Sequence, residues 1–229
     1  SWRSPEAAWS EPSTETVFAG LSKATIENVA MGLQDARFGV DIINEHILNS
    51  RISNYRALVI ADNQREVLPR TVESLKAFVE AGGALLVMGS GLMDCPGKES
   101  DIEKLLGLKR TGVAESSSSV NMGGKTTSFS SSWDVETSGA EVLSVYDNGK
   151  PFLTRNRVGK GAVAYVSAAG AVPYPDNDGV FSPIMDNMGV NPWVQVQSGD
   201  QGKHLVYSFR SKPGRLYLHV INLTSHMNG

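Results

Sequence analysis

The sequence predicts an α/β fold: a doubly wound, mostly parallel sheet with helices on both faces, extended by antiparallel strands and a C-terminal β-hairpin. Three observations carry this. Residues 56–61 (RALVIA) and 84–88 (ALLVM) are short, nearly continuous apolar runs, as expected of strands covered on both faces of a parallel sheet. Between them the chain is amphipathic at helical period. Val72, Leu75 and Val79 fall at i, i+3 and i+7, Phe78 widens the stripe, and Glu73, Lys76 and Glu80 face the other way. Pro69 suits the first turn of a helix, where its missing N–H costs nothing, and Gly82-Gly83 supplies the left-handed residue that ends one. Strand, helix, Gly-Gly and strand make one βαβ unit, whose crossover is right-handed.

Taken in order, the chain opens with a polar arm to about residue 16 that carries Trp2 and Trp9. Residues 23–36 place Ile26, Val29, Ala30 and Leu33 on one helical face. A strand is expected at 38–43 (FGVDII) and a helical turn at 45–48, before the βαβ unit. The predicted core is Leu58, Val59, Ile60, Leu75, Val79, Leu85, Leu86 and Val87. Residues 101–106 (DIEKLL) read as a short helix, with Asp101 near its positive end and Gly107 closing it. In the Ser/Gly/Thr-rich stretch 115–133, Val120, Met122, Thr127 and Phe129 alternate around Gly123-Gly124, the pattern of a β-hairpin. Its serine repeats equally suit a mobile loop. Three strands at 141–146, 151–157 and 161–167 follow, the first two joined by Asp147-Asn148-Gly149, and are expected to add antiparallel strands to the sheet. A loop at 170–179 and a helix at 180–188 come next. From Pro192 the pattern alternates as strands at 193–196, 204–210 and 215–223. The expected division is therefore an α/β domain with its arm over 1–190, and over 191–229 the start of a C-terminal β-sandwich.

With 229 residues the chain is long enough for one large domain, or one domain and an appendage. A formal charge of −3 and the absence of a dense Lys/Arg stripe argue against nucleic acid as a partner. No apolar run approaches the ~20 residues of a membrane helix, and the start (SWRSPEAAWSEPST) has no signal-peptide pattern. The single cysteine, Cys95, excludes an internal disulfide and leaves the compartment open. His46 sits among Ile43, Ile47 and Leu48 with no second ligand at metal spacing. His219 reads as a strand residue. Neither glycine-rich phosphate motif occurs, so no cofactor and no metal is expected.

Function in such sheets gathers just beyond the carboxyl ends of the strands. There the chain reads Gly89-Ser90-Gly91-Leu92-Met93-Asp94-Cys95-Pro96-Gly97, and Asp62 follows the neighbouring strand. The candidate loop-rim residues are Asp62, Ser90, Asp94 and Cys95. Asp94 with Asp101 is a carboxylate pair of the kind that works on sugars, although solvation and helix capping account for both.

The helix ending V-E-A-G-G and the apolar strand after it resemble the class I glutamine amidotransferase-like, flavodoxin-like fold. That resemblance implies a cysteine in a G-x-C-x-G elbow and an H-x-E pair to activate it. Aligned on either glycine, the nucleophile position falls on Gly91 or Gly89; Ser90 fits neither alignment, Cys95 comes too late, and no H-x-E occurs. No catalytic residue is assigned. A second resemblance covers more of the chain. Residues 55–62 (YRALVIAD), 75–83 (LKAFVEAGG), 91–97 (GLMDCPG), 101–107 (DIEKLLG), 159–168 (GKGAVAYVSA) and 215–224 (RLYLHVINLT) are similar to the β-galactosidase trimerisation domain. It implies a non-catalytic module of a larger glycoside hydrolase, with the catalytic barrel or identical subunits as partners.

Two other readings stand beside it. One is an independent hydrolase or amidotransferase using Ser90 or Cys95. The other is a carbohydrate-binding module with Trp133, Trp193 or Tyr174 as a stacking platform. The assembly reading expects an apolar patch built from Trp2, Trp9, the 120–129 insertion and the edge of strand 215–223.

Overall fold

The computed structural model describes residues 21–62, 65–114, 118–122, 124–169, 180–192, 205–212 and 215–222. Its centre is a five-stranded sheet, and along the chain the first two of its strands are β1 (Ala57–Ile60) and β2 (Ala84–Met88). They are joined by α3 (Pro69–Glu80), with α1 (Leu21–Asp35) and α2 (Glu45–Arg51) preceding. The remaining strands are β7 (Glu141–Val145), β8 (Pro151–Val158) and β9 (Gly161–Val166), and the spatial order is β1-β2-β9-β8-β7. β1, β2 and β9 are parallel neighbours, β8 pairs antiparallel with both β9 and β7, and β7 therefore runs in the direction of the first three. The sheet is thus mixed α/β. β9, expected as one more antiparallel addition, is instead the parallel neighbour of β2.

Side chains alternate cleanly across this sheet. Leu86 and Met88 of β2 and Ala164 and Val166 of β9 enter one core, with α1 and α5 (Phe181–Asn187) over them. Leu85 and Val87 of β2 and Val163 and Tyr165 of β9 enter the other, under α2, α3 and α4 (Glu99–Leu106). β2 is buried at every position, as its continuous apolar run requires. β1 lies at the edge of the sheet, so Val59 and Ile60, predicted as buried, are only partly covered, while Leu58 is buried. Leu75, Val79, Leu85, Leu86 and Val87 are fully buried.

No strand forms at 38–43. α1 ends instead in a left-handed turn at Arg37 (φ 69°), with Phe38 N–H donating to Leu33 O at 2.9 Å and Arg37 N–H to Gln34 O at 2.8 Å. This is the Schellman pattern, in which the residue after the left-handed position packs back on the helix. Phe38 is consequently buried in the first core, Ile43 packs against the second, and Ile42 between them is 66% exposed. The segment connects the cores of the two faces instead of adding a strand beside β1.

Between α4 and β7 the chain forms two further sheets. β3 (Leu108–Ala114) pairs with β6 (Ser131–Thr137), which also pairs with the short β10 (Ala168–Ala169). β4 (Ser118–Met122) and β5 (Lys125–Phe129) form the expected hairpin, with Val120 opposite Thr127. Val120, Met122 and Phe129 are buried in the first core, so they do not supply the exposed apolar patch expected of them. Near the C-terminus β11 (Leu205–Lys212) pairs antiparallel with β12 (Arg215–Asn222). Trp2, Trp9, Tyr174, Trp193 and the strand expected at 193–196 lie outside the described residues.

Candidate functional site

The elbow after β2 is made by two left-handed residues, Gly89 (φ 50°) and Leu92 (φ 62°). Gly89 N–H still donates to Val166 O of β9 at 2.8 Å, so the turn begins inside the sheet. Gly91 N–H then donates to Met88 O at 2.9 Å and Met93 N–H to Ser90 O at 3.1 Å, folding the loop back over the strand. Only glycine fits at 89: a Cβ there would stand 2.4 Å from Asp62 Oδ1 and 2.7 Å from Ala168 O.

This tight return buries most of the candidate residues. Ser90 and Asp62 are each 4% exposed and Cys95 is 1% exposed. They are not on a solvent rim. Ser90 and Asp62 meet: both the Ser90 backbone N–H and its hydroxyl donate to Asp62 Oδ1, each at 2.7 Å. Asp94 is exposed and engaged elsewhere, accepting from Arg65 Nε at 2.6 Å and Nη2 at 3.2 Å. Arg65 O accepts from Asp94 N–H at 2.9 Å, which closes the loop edge. Asp101 pairs with Lys98 at 3.3 Å, and Lys98 also reaches Glu73 at 2.9 Å. The two carboxylates thus hold different cations and are not arranged as an acid/base pair.

Two residues with no sequence motif complete the elbow. Arg110 of β3 donates to Gly91 O at 2.7 Å and Gly89 O at 3.1 Å, and its guanidinium lies 5.8 Å from the Tyr165 ring centroid. Tyr165 of β9 donates its hydroxyl to Gly89 O at 2.8 Å. Burial draws the Arg110 guanidinium below its ordinary pKa, an effect that Tyr165 opposes. Burial also pushes the Tyr165 phenol far above its usual value. The only available signal was weak: Arg110 is one of two adjacent cations in β3, and Tyr165 interrupts an aliphatic run.

Chemically the elbow is poor in reactive groups. Burial pushes the Cys95 thiol above its ordinary pKa, away from the thiolate that attacks substrates. His46, the one histidine whose side chain is described, is exposed on α2. No group of three or more His, Cys, Asp or Glu side chains able to hold a metal occurs among the described residues. No described helix is long and apolar enough to cross a membrane. A half-open groove beside α4, between Leu92, Ile102, Leu108 and Arg110, holds about 140 Å³. Ligand sites run from about 300 Å³ upward, so it is too small to enclose an oligosaccharide. Trp133 on β6 is half-buried, and its backbone N–H donates to Ser167 O at 2.7 Å.

Solved structures share this fold. A catalytic mutant of Gan42B, a GH42 β-galactosidase from G. stearothermophilus, superposes with TM-score 0.69 at 19% identity over 96% of this chain and 32% of that one. A β-galactosidase from Bacillus circulans sp. alkalophilus gives 0.69 at 20% identity, over 90% of this chain and 32% of that one. A polyextremophilic β-galactosidase from Halorubrum lacusprofundi gives 0.65 at 18% identity, over 93% and 32%. The chain therefore spans about a third of the length of these enzymes. Against curated protein sequences there is no match. Residues 26–180, more than half of the chain, match the family described as the β-galactosidase trimerisation domain, and the chain belongs to that family.

Proposed function

We propose that this chain is a non-catalytic accessory and oligomerisation domain of a larger glycoside hydrolase of the β-galactosidase type. Its partners are the catalytic barrel of that protein and identical subunits. Family membership over residues 26–180 supports the assembly role. The observation that carries the absence of catalysis is the state of Ser90. The one hydroxyl in the elbow is buried, and both it and its backbone N–H are bound to Asp62. Nucleophilic catalysis needs a base within reach and a free donor for the developing oxyanion. Asp62 lies within reach of the hydroxyl but is buried with it, and the N–H groups of Gly89, Ser90 and Gly91 are all bound within the protein, so none of these three offers a free oxyanion donor.

The helices on both faces of the β1-β2-β9 core and an elbow with no cysteine between its glycines support a doubly wound, amidotransferase-like ancestry in which the machinery has been lost. In this reading residues 1–190 form the α/β domain, and 191–229, including the β11·β12 pair, begin a C-terminal β-sandwich. The purified chain is expected to give no turnover of aryl β-galactosides, simple esters or glutamine above buffer. A rate abolished by stoichiometric thiol labelling of Cys95, or by Ser90→Ala, would contradict the proposal.

A further inference from the structure

The peptide bond between Gly89 and Ser90 is clamped at both ends by ionised or strongly polar side chains. Its N–H donates to Asp62 Oδ1 at 2.7 Å. Its C=O accepts from Tyr165 Oη at 2.8 Å and from Arg110 Nη1 at 3.1 Å. A second carbonyl, Gly91 O, faces the same guanidinium at 2.7 Å. The elbow therefore has a sorted polarity: its donors converge on an anion and its acceptors on a cation and a phenol. Hydrogen bonds arranged head to tail in this way polarise one another, so the Ser90 N–H is a stronger donor than an isolated amide. Ser90 Oγ adds a second donor to the same oxygen at 2.7 Å.

The cradle is shaped for a carboxylate. Asp62 follows the end of β1, where Ile60 pairs with Val87, and this register brings it opposite Gly89. The missing Cβ at Gly89 leaves the space that Asp62 Oδ1 fills, since a methyl there would stand 2.4 Å from that oxygen. Asp62 is 4% exposed, and a carboxylate that far from water is retained only where donors replace its hydration.

We propose that the elbow after β2 is an anion-binding nest whose permanent occupant is the protein's own Asp62 carboxylate. A chain lacking that carboxylate takes up a small free carboxylate in its place. Asp62 thus plugs the elbow from within, and the inference rests on the non-catalytic reading proposed above only in so far as it explains it.

The test compares wild type, Asp62→Ala and Asp62→Asn in thermal unfolding, with graded sodium formate against sodium chloride at equal ionic strength. Asp62→Ala opens the nest. Asp62→Asn keeps its volume filled. The expected result is a lowered Tm for Asp62→Ala that rises saturably with formate, while wild type and Asp62→Asn respond to formate as they do to chloride. A folded Asp62→Ala that tracks chloride alone overturns the proposal, as does an equal formate response in all three proteins. A second measurement needs no variant. In wild type the Ser90 amide proton, bound to a carboxylate, is expected far downfield in the NMR spectrum. A Ser90 amide at an ordinary shift would overturn the assignment even if Asp62→Ala fails to fold.

Discussion

On one face of the central sheet, α3 and α4 lie over β2 and β9, and the core is made of aliphatic side chains from consecutive helical turns: Val72, Leu75 and Val79, then Ile102, Leu105 and Leu106. On the other face the cover is assembled from distant pieces. Val29 and Leu33 come from α1, Phe181 and Ile184 from α5, and Val120, Met122 and Phe129 from a serine-rich hairpin. Phe129, Tyr146 and Phe152 form an aromatic cluster there, with ring centroids 5.2–6.1 Å apart. The first face is closed by local periodicity and the second by long-range docking. The difference decides which parts were legible in the sequence, and which interactions should couple.

The largest expected effects are core truncations, and they should separate the faces. Phe152→Ala is expected to cost about 3–5 kcal/mol and Leu75→Ala about 2–5 kcal/mol in urea unfolding, each opening a cavity at a fully buried position. Combined with Phe129→Ala, they should behave differently. Phe129 and Phe152 touch, at 5.5 Å between centroids, and should show a coupling of about 0.5–1.5 kcal/mol. Leu75 and Phe129 belong to different cores and should add to within about 0.5 kcal/mol. Additivity of both pairs would mean that the hairpin is not docked as described.

A smaller effect tests what holds the hairpin down. Ser119 N–H and Oγ donate to Asp147 at 3.2 and 2.7 Å, and Asp147 N–H returns a bond to Ser119 O at 2.8 Å. Asn148 reaches Ser118 Oγ at 2.9 Å. The Ser119 hydrogen bonds hold the Asp147 carboxyl below its ordinary pKa. A value depressed in the folded state contributes stability that is present in full above the unfolded value of about 3.9. That contribution is lost as pH falls through the folded value. Protection of the β4–β5 amides from hydrogen exchange should therefore be flat from pH 7 to about 5 and weaken below about 4. In Asp147→Ala this pH dependence should vanish and β4–β5 should exchange faster, while α3 is unaffected.

The smallest effect belongs to the elbow's outer edge. Arg65 and Asp94 are 47% and 43% exposed, so Arg65→Ala should cost no more than about 1 kcal/mol despite a 2.6 Å contact. A larger loss would show that this pair braces the elbow.

The face built on local rules was read closely. Pro69, the Val72/Leu75/Val79 stripe and Gly82-Gly83 appear in the structure as the start, buried face and end of α3. Residues 38–43 were misread because the apolar pattern of Phe38, Val40 and Ile43 also suits a segment that passes from one core to the other. β3 and β6 went unnoticed because Thr, Gly, Ser and charged residues dilute any alternation there, and β3 is bulged between Arg110 and Gly112. In the elbow, the sequence revealed an absence: no cysteine at the nucleophile position. It could not reveal what fills the space, because Asp62 lies just beyond β1, Arg110 on β3 and Tyr165 on β9, and their convergence depends on sheet order. That β9 rather than β8 neighbours β2 brings Tyr165 under Gly89.

The central claim, that this is an assembly domain without chemistry of its own, is tested most directly by sedimentation velocity of the purified chain over a wide concentration range. Weak self-association that grows with concentration is the predicted result. A strict monomer at every concentration, with saturable binding of an oligosaccharide in the same samples, would contradict it.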